Sequence, residues 1–245
     1  MQAASPAQDQ RLGIASHVRA CYSNGQVILL DLRRNRYIGV GSPHLSALSD
    51  QVDGWPRSPE PTNDGNDSAA VNVLTHRLVS QGLLTDRPTD RRPGITVEEA
   101  SSSLDFEDAT TDRAVSARCL FRFLRSAAVA AAWLRFRSLH SIASAVAARR
   151  ERLEPTSSDS TSGRAMFGAA AAYDKLRPFV LTAQDKCLHD SLALIGFMAS
   201  EGIFPRWVIG VKTRPFAAHS WVQSGTTVLN DHHEYVRRFR PILVV

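Results

Sequence analysis

A thiol, an imidazole and a carboxylate follow one another in the last part of the chain: Cys187, His219 and Asp231. Cys187 opens the run Cys187-Leu188-His189-Asp190-Ser191-Leu192-Ala193-Leu194. His219 opens His219-Ser220-Trp221-Val222, and Asp231 closes Leu229-Asn230-Asp231. A thiol attacks a carbonyl well only as thiolate, which needs an imidazole within hydrogen-bond reach. The imidazole needs an acceptor at its other nitrogen to fix its tautomer. Chance supplies such trios in many chains, so the elements that carry them decide how specific the set is.

Those elements are readable. Thr182 or Asp185 can cap a helix that begins near Lys186 and runs to about Glu201, stopping at Gly202. Leu188, Leu192, Ile195 and Ala199 follow helical spacing and form its expected buried stripe. Cys187 then sits in the first turn, where the macrodipole and unpaired N–H groups favour a thiolate. Its own N–H and the side chain of Gln184 are candidate oxyanion donors. Residues 206–211 read as a strand, and 218–223 and 226–231 as a hairpin around Ser224-Gly225. A two-residue loop sets His219 opposite Asn230, whereas a loop of Ser224-Gly225-Thr226 sets it opposite Asp231. Either side chain can orient an imidazole, and the carboxylate would also stabilise imidazolium.

Upstream, residues 113–153 are alanine-rich and free of Pro and Gly, hence helical, with a break near 134–138. Leu120, Phe123, Leu124, Trp133, Leu134, Phe136 and Leu139 are its core candidates. A polar loop at 154–163 precedes a helix at 164–176 that ends before Pro178. Residues 14–86 form a separate small α+β unit. Strands at 16–21 and 26–32 flank Asn24-Gly25, a strong hairpin signal. A third strand, Arg36–Val40, leads to a helix capped by Ser42-Pro43. A loop over 53–67 and a helix over 68–81, with Val71, Leu74, Leu78 and Val79 on one side, complete it. Between the units, 87–112 read as an acidic linker with few apolar groups to bury.

Composition narrows the setting. The chain has 245 residues, 43% of them hydrophobic, and a formal net charge of +5. Its cations are dispersed, so no nucleic-acid arm stands out. Three widely spaced cysteines argue against a disulfide framework and for a reducing compartment. The N-terminus lacks a basic and apolar secretory pattern, and the apolar stretch 126–148 carries Arg135, Arg137 and His140, which a bilayer rejects. A soluble, cytoplasmic protein with no membrane association is expected. Cys21 and Cys119 read as inert core, and Trp207 and Trp221 as core, the latter able to shield His219. His189 and Asp190 read as helix-surface residues, with a local influence on Cys187 as the sharper alternative. A zinc site can be written from Cys187, His219 and His232-His233, but it lacks paired ligand spacing.

The run from Cys187 to Leu194, His219-Ser220-Trp221-Val222, Asp231 and Arg238-Phe239-Arg240-Pro241-Ile242 together resemble the transglutaminase-like leader peptidases of lasso-peptide biosynthesis. The resemblance covers about 113–245 and maps that family's cysteine, histidine and aspartate onto Cys187, His219 and Asp231. Gln26–Leu32 and Arg36–Val40 resemble, more weakly, the winged-helix-like precursor-recognition element fused in front of such peptidases. The implied fold is α+β: a small recognition domain followed by a papain/transglutaminase-like cysteine peptidase domain. The implied activity is capture of a precursor's leader along Tyr37, Ile38, Gly39 and Val40 against Leu74 and Leu78, then cleavage at the leader–core bond through an acyl-enzyme. The chemistry implies no metal or cofactor. An asparagine-synthetase-like cyclase is the implied partner, and ATP is used there. His189-Asp190 depart from the basic or variable residues expected after the nucleophile.

Two other classes fit the residues. Acyl transfer of transglutaminase or arylamine-acetyltransferase type uses the same trio with an amine in place of water. A non-catalytic peptide- or DNA-binding module fits the N-terminal unit, although Arg77 is the lone strong cation on its second helix, and DNA binding usually needs several phosphate contacts.

Overall fold

The computed structural model describes residues 11–41, 44–58, 68–87, 96–104, 116–153, 161–179 and 186–245. It divides into two compact units, residues 1–93 and 94–245, both of mixed α and β structure.

The first unit runs β1 (Leu12–Ile14), β2 (Val18–Ser23), β3 (Gln26–Asp31), β4 (Arg36–Gly41), α1 (Leu45–Gln51), β5 (Val52–Asp53), α2 (Ser68–Ser80) and β6 (Leu84–Thr85). Strands β2, β3 and β4 form an antiparallel meander with β3 in the centre. Its first turn places Asn24 at φ 47° and Gly25 at φ 81°, the left-handed pair that a tight hairpin turn needs and that Asn-Gly supplies at low cost. At the second turn the Asp31 carboxylate accepts the N–H groups of Arg33 and Arg34 at 2.9 and 3.2 Å, a local bond that competes with further strand. Val27, Leu29, Leu48 and Leu83 are wholly buried in one core with Trp55 and Leu78. A second small sheet sets β1 parallel to β5 and antiparallel to β6, so the unit begins before residue 14. The expected cap at Ser42-Pro43 lies outside the described residues; α1 has His44 at its N-cap, with no side-chain capping bond. Val79, expected on the buried side of α2, is 40% exposed, while Val71 and Leu78 are buried.

The second unit runs β7 (Ser102–Ser103), α3 (Ala117–Phe136), α4 (Leu139–Leu153), α5 (Thr161–Leu176) with a tight turn at Arg177–Phe179, α6 (Cys187–Ser200), β8 (Arg206–Thr213), β9 (Phe216–Ser224), β10 (Thr227–Val228), α7 (His233–Val236) and β11 (Arg240–Val244). The sheet order is β11-β8-β9-β10-β7. The linker reading is corrected over 96–104: Ser102 and Ser103 pair with Thr227 and Val228 as a sheet edge, and Ala100 is buried. Strand pairing uses backbone groups, so a polar serine run can form one where composition suggests only a tether.

Two further expectations change. Phe123 and Leu139 are buried as expected, but Leu120, Leu124 and Phe136 are 42, 45 and 81% exposed; Phe123 shares the buried face of α3 with Ser126, Ala127 and Ala130. Ser126 Oγ donates to the Ala193 carbonyl at 2.5 Å, and a Cβ on Gly196 would lie 2.4 Å from that hydroxyl. Small residues thus let α3 and α6 meet closely. Helix α6 is buried on most of its circumference, Asp190 through Ile195 together with Phe197 and Met198, rather than along one stripe. Each such large apolar side chain contributes roughly 1.5–3 kcal/mol, which fixes the helix that carries Cys187.

Candidate active site

Cys187 is the first residue of α6, behind a Lys186 N-cap that makes no side-chain cap bond. Its backbone N–H belongs to the first turn, where no intrahelical acceptor exists. Thr182 and Asp185, expected as the cap, and Gln184, expected as an oxyanion donor, lie outside the described residues. His219 stands in the middle of β9, paired across the ladder with Gly210. The thiol of Cys187 faces the imidazole of His219 and the backbone N–H groups of Ser220 and Leu188, and each of them favours its thiolate. His219 Nε2 lies 2.6 Å from Asp231 Oδ2. Nδ1 is therefore the nitrogen left for the thiol.

The hairpin adopts neither expected register. Thr227 pairs with Ser224 and Val228 with Gln223, so the turn is Gly225-Thr226. Strand β10 then stops, and Asp231 reaches His219 from the irregular segment beyond it. Asn230 turns away: its Oδ1 accepts the Val222 N–H at 2.8 Å and its Nδ2 donates to Asp190 Oδ2 at 2.8 Å. Asp231 is thus the group on the imidazole, with its other oxygen accepting the His232 N–H at 2.7 Å.

The electrostatics favour an ion pair. Burial pushes the Cys187 thiol up, but the His219 bond, the Ser220 N–H, the imidazolium charge and the Leu188 N–H outweigh it, and the thiol titrates below its ordinary value. Burial likewise opposes the charged imidazole, yet the Asp231 and Cys187 bonds and charges raise His219 to about 9. Asp231 is held below the usual carboxylate range: burial raises it, while the His219 bond, the His232 N–H, the His219 charge and Arg177 prevail. A thiolate–imidazolium pair is the state that attacks a carbonyl without a prior proton transfer.

Aromatic rings wall the imidazole. Trp221 stacks at 6.3 Å between centroids, Tyr235 meets it edge-on at 5.0 Å and Phe239 at 5.3 Å. Trp221 is buried, as expected, and its indole N–H is satisfied by Gln223 Oε1 at 2.9 Å. These rings lower the local polarity and strengthen the charge pair.

The surface reading of His189 and Asp190 is corrected. His189 Nε2 sits 2.9 Å from the Ala127 carbonyl, and Asp190 is 4% exposed and bonded to Tyr173, Arg177 and Asn230. A signal was available: Asp190 stands four and seven residues before Leu194 and Phe197, on the buried side of the wheel. Arg177 and Tyr173 carried no such signal. Cys21 and Cys119 are half-buried. His233 of the writable zinc set has its Nδ1 2.9 Å from Ser103 Oγ, and among the described residues no group of three His, Cys, Asp or Glu side chains that could hold a metal ion is found.

In the first unit, Tyr37, Ile38, Gly39, Val40, Leu74 and Leu78 line one groove of about 540 Å³ between edge strand β4 and α2. The six residues expected to hold a leader therefore share a surface.

Residues 123–244 match the transglutaminase-like superfamily, so the second unit carries a transglutaminase-like domain. A stretch of 45 residues is 49% identical to the microcin J25-processing protein McjB of Escherichia coli; it is 18% of this chain and 22% of that protein. No solved structure matches the chain at a significant level. Among the described residues no helix is long and apolar enough to cross a membrane.

Proposed function

We propose that this protein is a cysteine peptidase that binds the leader of a ribosomally made lasso-peptide precursor and cuts the leader–core bond. The observation that carries the reading is the arrangement of Cys187, His219 and Asp231 inside a transglutaminase-like domain: a thiol at a helix start, facing an imidazole that is itself 2.6 Å from a carboxylate. The partial likeness to a microcin-processing protein supports this choice of substrate class.

The Cys187 thiolate attacks the scissile carbonyl carbon, and the oxygen takes the negative charge. The backbone N–H of Cys187, in the first turn of α6, is the donor we assign to that oxygen. As the C–N bond breaks, His219 gives its Nδ1 proton to the leaving amine of the core and a thioester to Cys187 remains. Neutral His219 then takes a proton from water, whose oxygen displaces the thiolate and releases the leader carboxylate. Asp231 holds the imidazole tautomer throughout. These steps need no metal or cofactor. In the first unit the leader adds as a strand along β4, with its side chains in the groove against Leu74 and Leu78. The freed core amine passes to an ATP-using, asparagine-synthetase-like cyclase.

The test is a synthetic precursor peptide read by mass spectrometry, with wild type, Cys187→Ala and Cys187→Ser in parallel. One cut at the leader–core junction, lost in both variants while peptide binding persists, is the expected result. A leader–amine adduct formed in place of hydrolysis when a primary amine is added would reassign the protein to acyl transfer. Neither binding nor cleavage would sink the lasso-peptide reading.

A further inference from the structure

Asp190 is a carboxylate in the core of the second unit, its side chain 5% exposed. A buried carboxylate is tolerated only when its lone pairs are met, and here three donors meet them. The Tyr173 hydroxyl lies 3.0 Å from Oδ1, Arg177 Nε 3.2 Å from the same oxygen, and Asn230 Nδ2 2.8 Å from Oδ2. The donors come from three places: α5, the turn after it, and the segment that carries Asp231. Arg177 Nη1 also donates to the Asn230 carbonyl at 3.2 Å, which closes a ring of bonds through Asp190, Arg177 and Asn230. Asn230 has no freedom left, since its Oδ1 is held by the Val222 N–H at 2.8 Å.

Asn230 and Asp231 are adjacent, and β10 has ended at Val228. The sheet therefore does not fix Asp231; the side chain of its neighbour does. We infer that Asp190 is the positioning residue of the site, holding the Asp231 carboxylate on His219 through Asn230 and Arg177. This rests on the reading of Cys187 and His219 as a reactive pair, and not on the identity of the peptide substrate.

The charge at position 190 matters as much as its shape. An asparagine there would turn one acceptor into an N–H donor. Flipped one way it faces the Asn230 amide; flipped the other way it faces the Tyr173 hydroxyl and the Arg177 guanidinium. Either orientation opposes a donor to a donor, and releasing Asn230 lets Asp231 drift from Nε2. Around Asp190 stand Asp174 and Tyr173 on α5, Arg177 and Asn230, while the imidazole itself faces Cys187, Asp231 and Tyr235 on α7, with Lys212 on β8 over the neighbouring Phe239 ring at 5.2 Å. Of these, Asp231 supports the imidazolium directly, so its displacement is felt first at His219 and then at the thiol.

The experiment follows alkylation of Cys187 by iodoacetamide against pH, by mass spectrometry, in a Cys21→Ser, Cys119→Ser background. Wild type, Asp190→Asn, Asn230→Ala and Asp231→Asn are compared. Asp190→Asn and Asn230→Ala are expected to move the alkylation midpoint toward higher pH by about one unit, hence about tenfold slower alkylation on the acid side, in the same direction as Asp231→Asn. A wild-type profile in folded Asp190→Asn overturns the inference. If Asp190→Asn does not fold, Asn230→Ala decides by the same criterion. A shifted profile in a protein that cuts no precursor leaves the positioning role standing and removes only the substrate reading.

Discussion

Gly210 and His219 face each other across the β8–β9 ladder. A Cβ built on Gly210 would come within 2.8 Å of the Trp221 ring and 2.9 Å of Phe239 Cβ. The glycine makes room for the two rings that flank the imidazole. Gly210→Ala must displace them, and overpacking of this kind costs typically about 1–3 kcal/mol. Thermal denaturation is expected to show a lowered Tm, with a drop in Cys187 alkylation rate at neutral pH.

On the proposed function, removing the proposed nucleophile or its base should abolish turnover. Cys187→Ala and His219→Ala are each expected to lower kcat by on the order of 10³-fold or more. Asp231→Asn leaves the geometry but not the charge and should lower kcat by on the order of 10² to 10⁴. Single-turnover assays with precursor peptide measure both; retained activity in His219→Ala would remove the imidazole from the mechanism.

The pH dependence has a definite sign. Activity should rise with pH as the thiolate forms, at a pH below the ordinary thiol value, and fall as His219 loses its proton near 9. Stability follows the same groups. His219 titrates above its ordinary value of 6.5, so the stability it contributes is full below 6.5 and is lost as pH rises through about 9. Asp231 titrates below its ordinary 3.8, so its contribution is present above 3.8 and lost as pH falls through the lowered value. Denaturant midpoints in His219→Gln should lose the high-pH decline that wild type shows.

Leu74 is half-buried, on the α2 wall of the groove beside β4. Leu74→Glu should weaken leader-peptide binding by about tenfold to a hundredfold, on the order of 1.4–2.8 kcal/mol. Fluorescence polarisation with a labelled leader measures this, and cleavage of a leaderless model peptide by the second unit should be unchanged.

Features that depend on neighbours in sequence were legible before any coordinates. Asn24-Gly25 makes its hairpin because the left-handed backbone of that turn suits those two residues. The helix opening at Cys187, its stop before Gly202 at φ 77°, and the break between α3 and α4 follow from local periodicity and punctuation. The same is true of Cys187 and His219 as chemistry-bearing residues on a helix start and a strand.

What pairing distant segments decides was not legible. Chemistry and the resemblance favour Asp231 over Asn230 at His219, but strand register does not read out from sequence: it depends on where β10 ends, and that is set by its short ladders with β7 and β9. Leu120, Leu124 and Phe136 fit a buried pattern on α3 together with Phe123, but beside Phe123 the helix turns Ser126 and Ala130 inward because small residues permit its close approach to α6. Asp190 reads as a surface acid because its partners, Tyr173, Arg177 and Asn230, lie 17, 13 and 40 residues away in the chain. The sequence by itself determined the candidate reactive groups and the elements that bear them, since both are set by residue type and short-range geometry. Only the tertiary structure decided how the carboxylates are assigned, because a buried charge is defined by the donors that folding brings to it.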